Sequence, residues 1–238
     1  LFISTKAGYD MWPGPYGNLG SRKYLISSLD QSLKRMKLDY VDIFYSHRYD
    51  PDTPLEETMQ ALVDIVRSGK ALYAGISNYP REAAEFAYRY LREHDTPCLL
   101  HQLKYNILHR EPEDEGLLAQ ADNNGSGFIV YSPLAQGVLT DRYLNGIPAD
   151  SRAAKDFSLK KDSITPDMID ALKELNKIAE ERGQSLAQMA LAWVLKDRRV
   201  TSVIVGASSV EQLKTNMQSI RNTVFSDEEI RLIDQLTR

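Results

Sequence analysis

Cysteine is nearly missing from this chain. Cys98 is the only one in 238 residues, so no internal disulfide can form and a reducing compartment is the natural setting. Long apolar runs are missing too. None approaches the roughly 18–20 residues a membrane-spanning helix needs, and no leader peptide is visible, so we expect no membrane partner and a cytoplasmic location. Positive charge is not in excess: 29 Lys+Arg against 33 Asp+Glu give a net charge of −4, and the pI is about 5.7. That balance argues against nucleic acid or an anionic surface as partner. There is no GxGxxG and no P-loop, which removes the usual mark of an open, doubly wound nucleotide-binding sheet. We expect no bound metal.

What is present is a repeated alternation of strand and helix patterns. Hydrophobic content of 42% is enough for a sizeable core. The run Leu1–Thr5 reads as a strand closed by Lys6. Ser21 caps a helix whose face is Leu25, Leu29, Leu33 and Met36. Tyr40–Ser46 is a second strand, closed by His47. Thr53-Pro54-Leu55-Glu56 reads as a capping box with Pro at the first helical position, and Leu55, Met59, Leu62, Val63 and Val66 form the stripe behind it. Strands over 71–77, 98–104, 127–132 and 201–206 follow, with helices over 81–93, 117–121, 166–179, 185–196 and 209–220 and a last one capped by Ser226. Runs such as Phe128-Ile129-Val130 and Val203-Ile204-Val205 suit parallel strands covered on both faces. With no linker-like break, residues 1–238 read as one domain.

Six strands fall short of the eight that close an α/β barrel. The chain opens inside a strand, on Leu1, so we expect two further strand–helix units before it and an exposed edge beside Lys6. Lys6 and His47 close consecutive strands. In a parallel sheet both emerge at the carboxyl edge, where such barrels carry their chemistry, and a Lys and a His aimed into one pocket form an acid–base pair.

Six strand ends in order then resemble the aldo-keto reductases: Ser4-Thr5-Lys6-Ala7-Gly8, Ser46-His47-Arg48, Gly75-Ile76-Ser77-Asn78, Gln102 with Tyr105-Asn106, Tyr131-Ser132-Pro133-Leu134, and Gly206-Ala207-Ser208 with Glu211-Gln212-Leu213-Lys214-Thr215-Asn216. The segments Tyr9–Gly17 and Ser21–Leu25 are similar to the bacterial branch that reduces L-glyceraldehyde 3-phosphate, a relative of the potassium-channel β subunits. The resemblance implies a (β/α)8 barrel, with its first two strands outside this chain, and hydride transfer from NADPH to small or phosphorylated aldehydes, methylglyoxal-like carbonyls included. It implies Lys6 and His47 as catalytic residues, while the family's Asp and Tyr fall before Leu1. It implies a cofactor site of Ser77, with Asn78 and Gln102 at the nicotinamide amide, Tyr131 stacked on the ring, and Ser132, Pro133, Leu134, Ala135, Gln136 and Gly137 with Arg142 and Arg152 at the phosphates. Gly206, Ser208, Gln212 and Asn216 fall at the adenosine end. Thr215 stands where the branch often has an acid.

Trp12 reads equally as a substrate wall or a packing residue. Ser208 and Ser209 open a helix that suits an anion, though Ser208-x-x-Glu211 and Ser209-x-x-Gln212 also read as capping boxes. Other readings are a channel-β-subunit-like binding module with residual reductase activity, against which the retained His47 speaks, and a Schiff-base barrel enzyme built on Lys6 alone. Homo-oligomerisation is left open.

Overall fold

The computed structural model describes residues 1–155 and 159–238. Strands and helices alternate along them: β1 (Ser4–Ala7), α1 (Arg22–Met36), β2 (Val41–Ser46), α2 (Leu55–Arg67), β3 (Ala71–Ser77), α3 (Arg81–Glu93), β4 (Cys98–Lys104), α4 (Glu111–Asp114), α5 (Leu117–Asn123), β5 (Gly127–Tyr131), α6 (Pro166–Glu181), α7 (Leu186–Leu195), β6 (Val200–Val203), α8 (Val210–Met217) and α9 (Asp227–Thr237). The chain divides into two compact units, one of Leu1–Leu103 with Glu115–Ile129 and one of Lys104–Asp114 with Val130–Arg238.

In the first unit, β1, β2, β3 and β4 lie side by side, all parallel. The register runs Lys6 to Tyr45, Tyr45 to Gly75 and Gly75 to Leu100, then Ser77 to Gln102 after an irregularity at Ala74/Gly75. Strand side chains alternate between faces, so Lys6, Tyr45, Gly75, Leu100, Ser77 and Gln102 share one face. His47, two residues beyond Tyr45, continues that side. The opposite face meets helices. Leu25, Leu29 and Leu33 of α1, Met59, Leu62 and Val63 of α2, and Ala84, Ala87 and Leu91 of α3 are all buried. In the second unit, Ile204 N–H bonds to Val130 O at 2.8 Å, and α7 is buried nearly all round, from Leu186 through Trp193 and Val194.

Several boundaries differ from the sequence reading. The first strand is Ser4–Ala7, so Lys6 lies within it rather than closing it. Met36 is 37% exposed, at the last residue of α1, where left-handed Lys37 turns the chain. The Thr53 capping box does not form. Pro54 is the N-cap and has no side-chain bond. Asp50 Oδ1 already takes the Thr53 N–H, and Glu57, now at the third helical position, accepts from Arg22 N at 3.0 Å. The fifth strand stops at Tyr131 because Ser132 adopts φ 54. With its neighbour ended, β6 stops at Val203 instead of running to residue 206. The helix after it spans Val210–Met217 and tightens to a 3₁₀ turn over Gln218–Arg221. Ile204, Val210, Leu213 and Met217 around β6 and α8 are exposed apolar side chains.

The face-sharing register leaves no room at Gly75. A methyl there would lie 2.5 Å from the Tyr45 ring, a contact that must be relieved by moving core atoms. Gly75→Val should lower stability by about 1–3 kcal/mol and Tm by roughly 2–12 °C. Gly206→Ala, whose methyl meets nothing within 4 Å, should leave Tm nearly unchanged. Thermal unfolding followed by circular dichroism checks both.

Candidate active site

The carboxyl ends of β1 to β4 gather most of the polar residues singled out from the sequence in the first unit. His47 N–H bonds to Ala7 O at 2.8 Å, fixing the end of β2 against β1. Gly8 makes the approach feasible, since a Cβ there would sit 2.8 Å from His47 Cβ. Asn78, at φ 55, turns the chain off β3. Its backbone N–H bonds to Gln102 O at 3.1 Å, and its side-chain amide reaches His47 O at 3.0 Å and Ser77 Oγ at 3.1 Å. Ser77 and Gln102 are buried. Hydrogen bonds through Asn78 therefore tie the ends of β2, β3 and β4 together, and Lys6, His47, Ser77 and Gln102 stand on the shared face.

The two titratable groups are tuned together. Burial lowers the His47 pKa to about 4, and the Lys6 and Arg48 cations push the same way. The imidazole is thus neutral at pH 7. Lys6 is solvent-exposed by surface area, yet the surrounding protein desolvates its ammonium enough to lower its pKa. A neutral imidazole beside an amine of lowered pKa can exchange hydrogen bonds with a carbonyl oxygen and steady charge that develops there. Cys98, in contrast, is buried and pushed up to about 11, which leaves its thiol inert.

Trp12 is a packing residue that also stands on an open cleft. Its ring packs on Tyr24 with centroids 5.3 Å apart. It also lines an open cleft of about 560 Å³ with Asp10, Met11, Pro13, Gly14, Gly17 and Asn18. Sequence reasoning gave no role to Tyr9, Asn18 or Arg48. Only the position of Arg48 beside His47 hinted at one.

The second unit holds a cleft of about 550 Å³. Ser132, Pro133, Leu134, Gln136, Gly137, Arg142, Arg152, Gly206, Ser208 and Gln212 line it, ten of the residues expected to hold a cofactor. Thr140, Tyr143, Val205 and Ala207 line it as well and were not foreseen. Ser132, Ala135, Gln136 and Gly137 all have positive φ, a bend that turns backbone N–H groups inward as an anion cradle would. Asn106 Nδ2 donates to Ser132 O at 2.9 Å and braces it. Arg142 pairs with Asp150 at 2.5 Å, whereas Arg152 is exposed.

At the start of α8, Ser209 Oγ accepts from Gln212 N at 3.1 Å, one half of the expected Ser209–Gln212 box; the other half does not form. The Ser208–Glu211 box is replaced: Gln212 Oε1 takes both the Ser208 N–H, at 2.7 Å, and its hydroxyl, at 3.1 Å. Asn216 is buried, and its Nδ2 has no hydrogen-bond partner. Ala135 and Asn216 do not line the cleft, and Tyr131 stands at the end of β5. Among the described residues no cluster of three metal-ligating side chains occurs, and no helix is long and apolar enough to cross a membrane.

Comparison with known proteins places this geometry. The aldo/keto reductase family model matches residues 1–238, and the chain belongs to that family, which makes it an oxidoreductase. It is 58% identical over 240 residues to L-glyceraldehyde 3-phosphate reductase of Escherichia coli O157:H7, covering 99% of this chain and 69% of the relative. It is 38% identical over 205 residues to a putative voltage-gated potassium channel subunit beta of Schizosaccharomyces pombe, covering 84% and 60%. A crystal structure of a thermostable aldo-keto reductase with the inhibitor epalrestat matches at a TM-score of 0.73 and 31% identity, over 99% of this chain and 71% of that one. The strands and helices described above are accordingly those of a (β/α)8 barrel, of which six strands appear among the described residues.

The depressed His47 pKa has a testable sign. Its folded value lies below the ordinary 6.5, so the unfolded chain binds more protons between about pH 6.5 and 4. The stability His47 contributes is present above pH 6.5 and is lost as pH falls through that window. An NMR titration should place the His47 midpoint near 4. A midpoint near 6.5 would contradict the desolvated, doubly flanked environment.

Proposed function

We propose that the protein reduces small and phosphorylated aldehydes to alcohols with NADPH, L-glyceraldehyde 3-phosphate foremost and methylglyoxal-like carbonyls with it. The observation that carries the proposal is Lys6 and neutral His47 on one sheet face, in a chain 58% identical to a reductase of that phosphorylated aldehyde.

The residues fit a dinucleotide. Asn216 keeps a buried amide donor without a partner, which otherwise costs about 1–3 kcal/mol, and an adenine acceptor would satisfy it. Arg142 and Arg152 would face the phosphates, with the bend at Ser132, Pro133, Leu134, Ala135, Gln136 and Gly137. Gly206, Ser208 and Gln212 would take the adenosine end, and Ser208 beside its 2′-phosphate is the reason for NADPH over NADH. Ser77, Asn78 and Gln102 offer the paired donors and acceptors a carboxamide needs, and Tyr131 offers a ring face. The bound cofactor supplies the hydride. His47 orients the substrate carbonyl by hydrogen bonding to its oxygen. Lys6 lowers the pKa of the family's proton-donating tyrosine, as a nearby cation does; we assign that tyrosine to no residue of 1–238. Trp12 forms part of the substrate wall.

Lys6→Met in the full-length protein should lower kcat by at least about 100-fold, the usual share of a positioned proton-transfer group, while cofactor affinity stays within several-fold. Steady-state kinetics with a cofactor titration checks this, and near-normal kcat would remove Lys6 from the chemistry. Separately, NADPH should raise Tm more than NADH at equal concentration, and Arg152→Ala should shrink the NADPH effect. An equal or larger shift with NADH would overturn the cofactor preference.

A further inference from the structure

Arg48 is a half-buried cation without an acid. Its Nε donates to Gly8 O at 2.7 Å and its Nη2 to Asn18 Oδ1 at 2.7 Å. Both acceptors are neutral, and among the described residues Arg48 makes no ion pair. The nearby buried carboxylate does not serve it: Asp50 is spent on the N–H groups of Gly20 at 2.8 Å, Asp52 at 2.8 Å and Thr53 at 3.3 Å. A guanidinium has five N–H donors in a fixed fork, and these two bonds leave the third nitrogen unengaged. Its plane is held as well. The Arg48 Cζ lies 4.5 Å from the centroid of the Tyr9 ring, a cation–π contact that holds the guanidinium over the ring. The same ring meets His47 edge-on at 4.7 Å. Tyr9 thus touches both groups, and the imidazole and the guanidinium stand around one ring. Asn18, which fixes one arm of the fork, also lines the Trp12 cleft.

From this we infer that Arg48 is the specificity-determining residue of the site, binding the phosphate of a phosphorylated aldehyde whose carbonyl faces His47. The inference rests on the reductase reading above and names the residue that selects its charged substrate. An uncompensated, oriented guanidinium accepts a phosphate through paired N–H bonds, which a lysine ammonium cannot reproduce. The alternative is that Arg48 only braces the loop after β1 through Gly8 and Asn18.

The experiment compares L-glyceraldehyde 3-phosphate with unphosphorylated glyceraldehyde in the full-length wild type, Arg48→Lys, Arg48→Met and Asn18→Ala. The ratio of the two kcat/KM values should fall at least tenfold in Arg48→Met, mostly through KM for the phosphorylated substrate, and by a smaller factor in Arg48→Lys. Asn18→Ala, which removes only the brace, should leave the ratio within about threefold. Inorganic phosphate should compete with the phosphorylated substrate in wild type and lose that inhibition in Arg48→Met. If both substrates lose equally, or phosphate inhibits Arg48→Met as it does wild type, Arg48 is a brace and the inference fails. If Arg48→Met is poorly folded by circular dichroism, the ratio and phosphate competition in Arg48→Lys decide alone. Failure of the reductase reading is distinct: wild type would then reduce neither aldehyde.

Discussion

The parallel register of the first four strands is the constraint on which the catalytic reading depends. Because Lys6 pairs with Tyr45, Tyr45 with Gly75 and Ser77 with Gln102, one alternation decides which side chains meet. A slip of one residue would move Lys6 and Gln102 to the helix-covered side. The register is held from both faces. Leucines of α1 and α2 close one side, while the missing Cβ of Gly75 lets the Tyr45 ring lie across the other. Tyr45 is itself almost fully buried, so the layer beneath the polar residues is dry. That dryness helps to explain why His47 resists protonation.

Electrostatics then sharpen what the register brings together. Lys6 and Arg48 both lie close enough to His47 to disfavour its charged form. A cluster of cations around a neutral imidazole is a poor arrangement for stability and a good one for receiving an oxyanion or an anionic substrate. Asn78 supplies the mechanical link. With one side chain and one backbone N–H it bonds to residues of the neighbouring strand ends, so that the polar groups sit on a rigid edge rather than a mobile loop.

Much of this was legible in the chain itself. The helix starts at Ser21 and Ser226 follow from local hydrogen bonding, and both form the side-chain cap expected. The pairing of Lys6 with the His47 strand follows from period and order alone. What was not legible depended on partners outside the motifs. Thr53 lost its capping box because Asp50 Oδ1 takes its N–H and the helix starts one residue later, with Pro54 as N-cap. Residue 132 left the strand through a left-handed backbone that a serine does not advertise. Arg48 looked like an ordinary surface cation until Tyr9, Gly8 and Asn18 were seen around it. Ten of the residues that the motifs put forward for a cofactor line one cleft; the orphaned amide of Asn216 could be found only in three dimensions.

The central claim is that this site delivers a hydride to an aldehyde carbon. Its most direct test is isotopic. The full-length protein would be incubated with L-glyceraldehyde 3-phosphate and NADPH carrying deuterium at the transferable C4 position, and the product examined by mass spectrometry and NMR. The account predicts glycerol phosphate with one deuterium on the former aldehyde carbon. Turnover that leaves that carbon unlabelled, or an enzyme–substrate imine trapped by borohydride at Lys6, would contradict it.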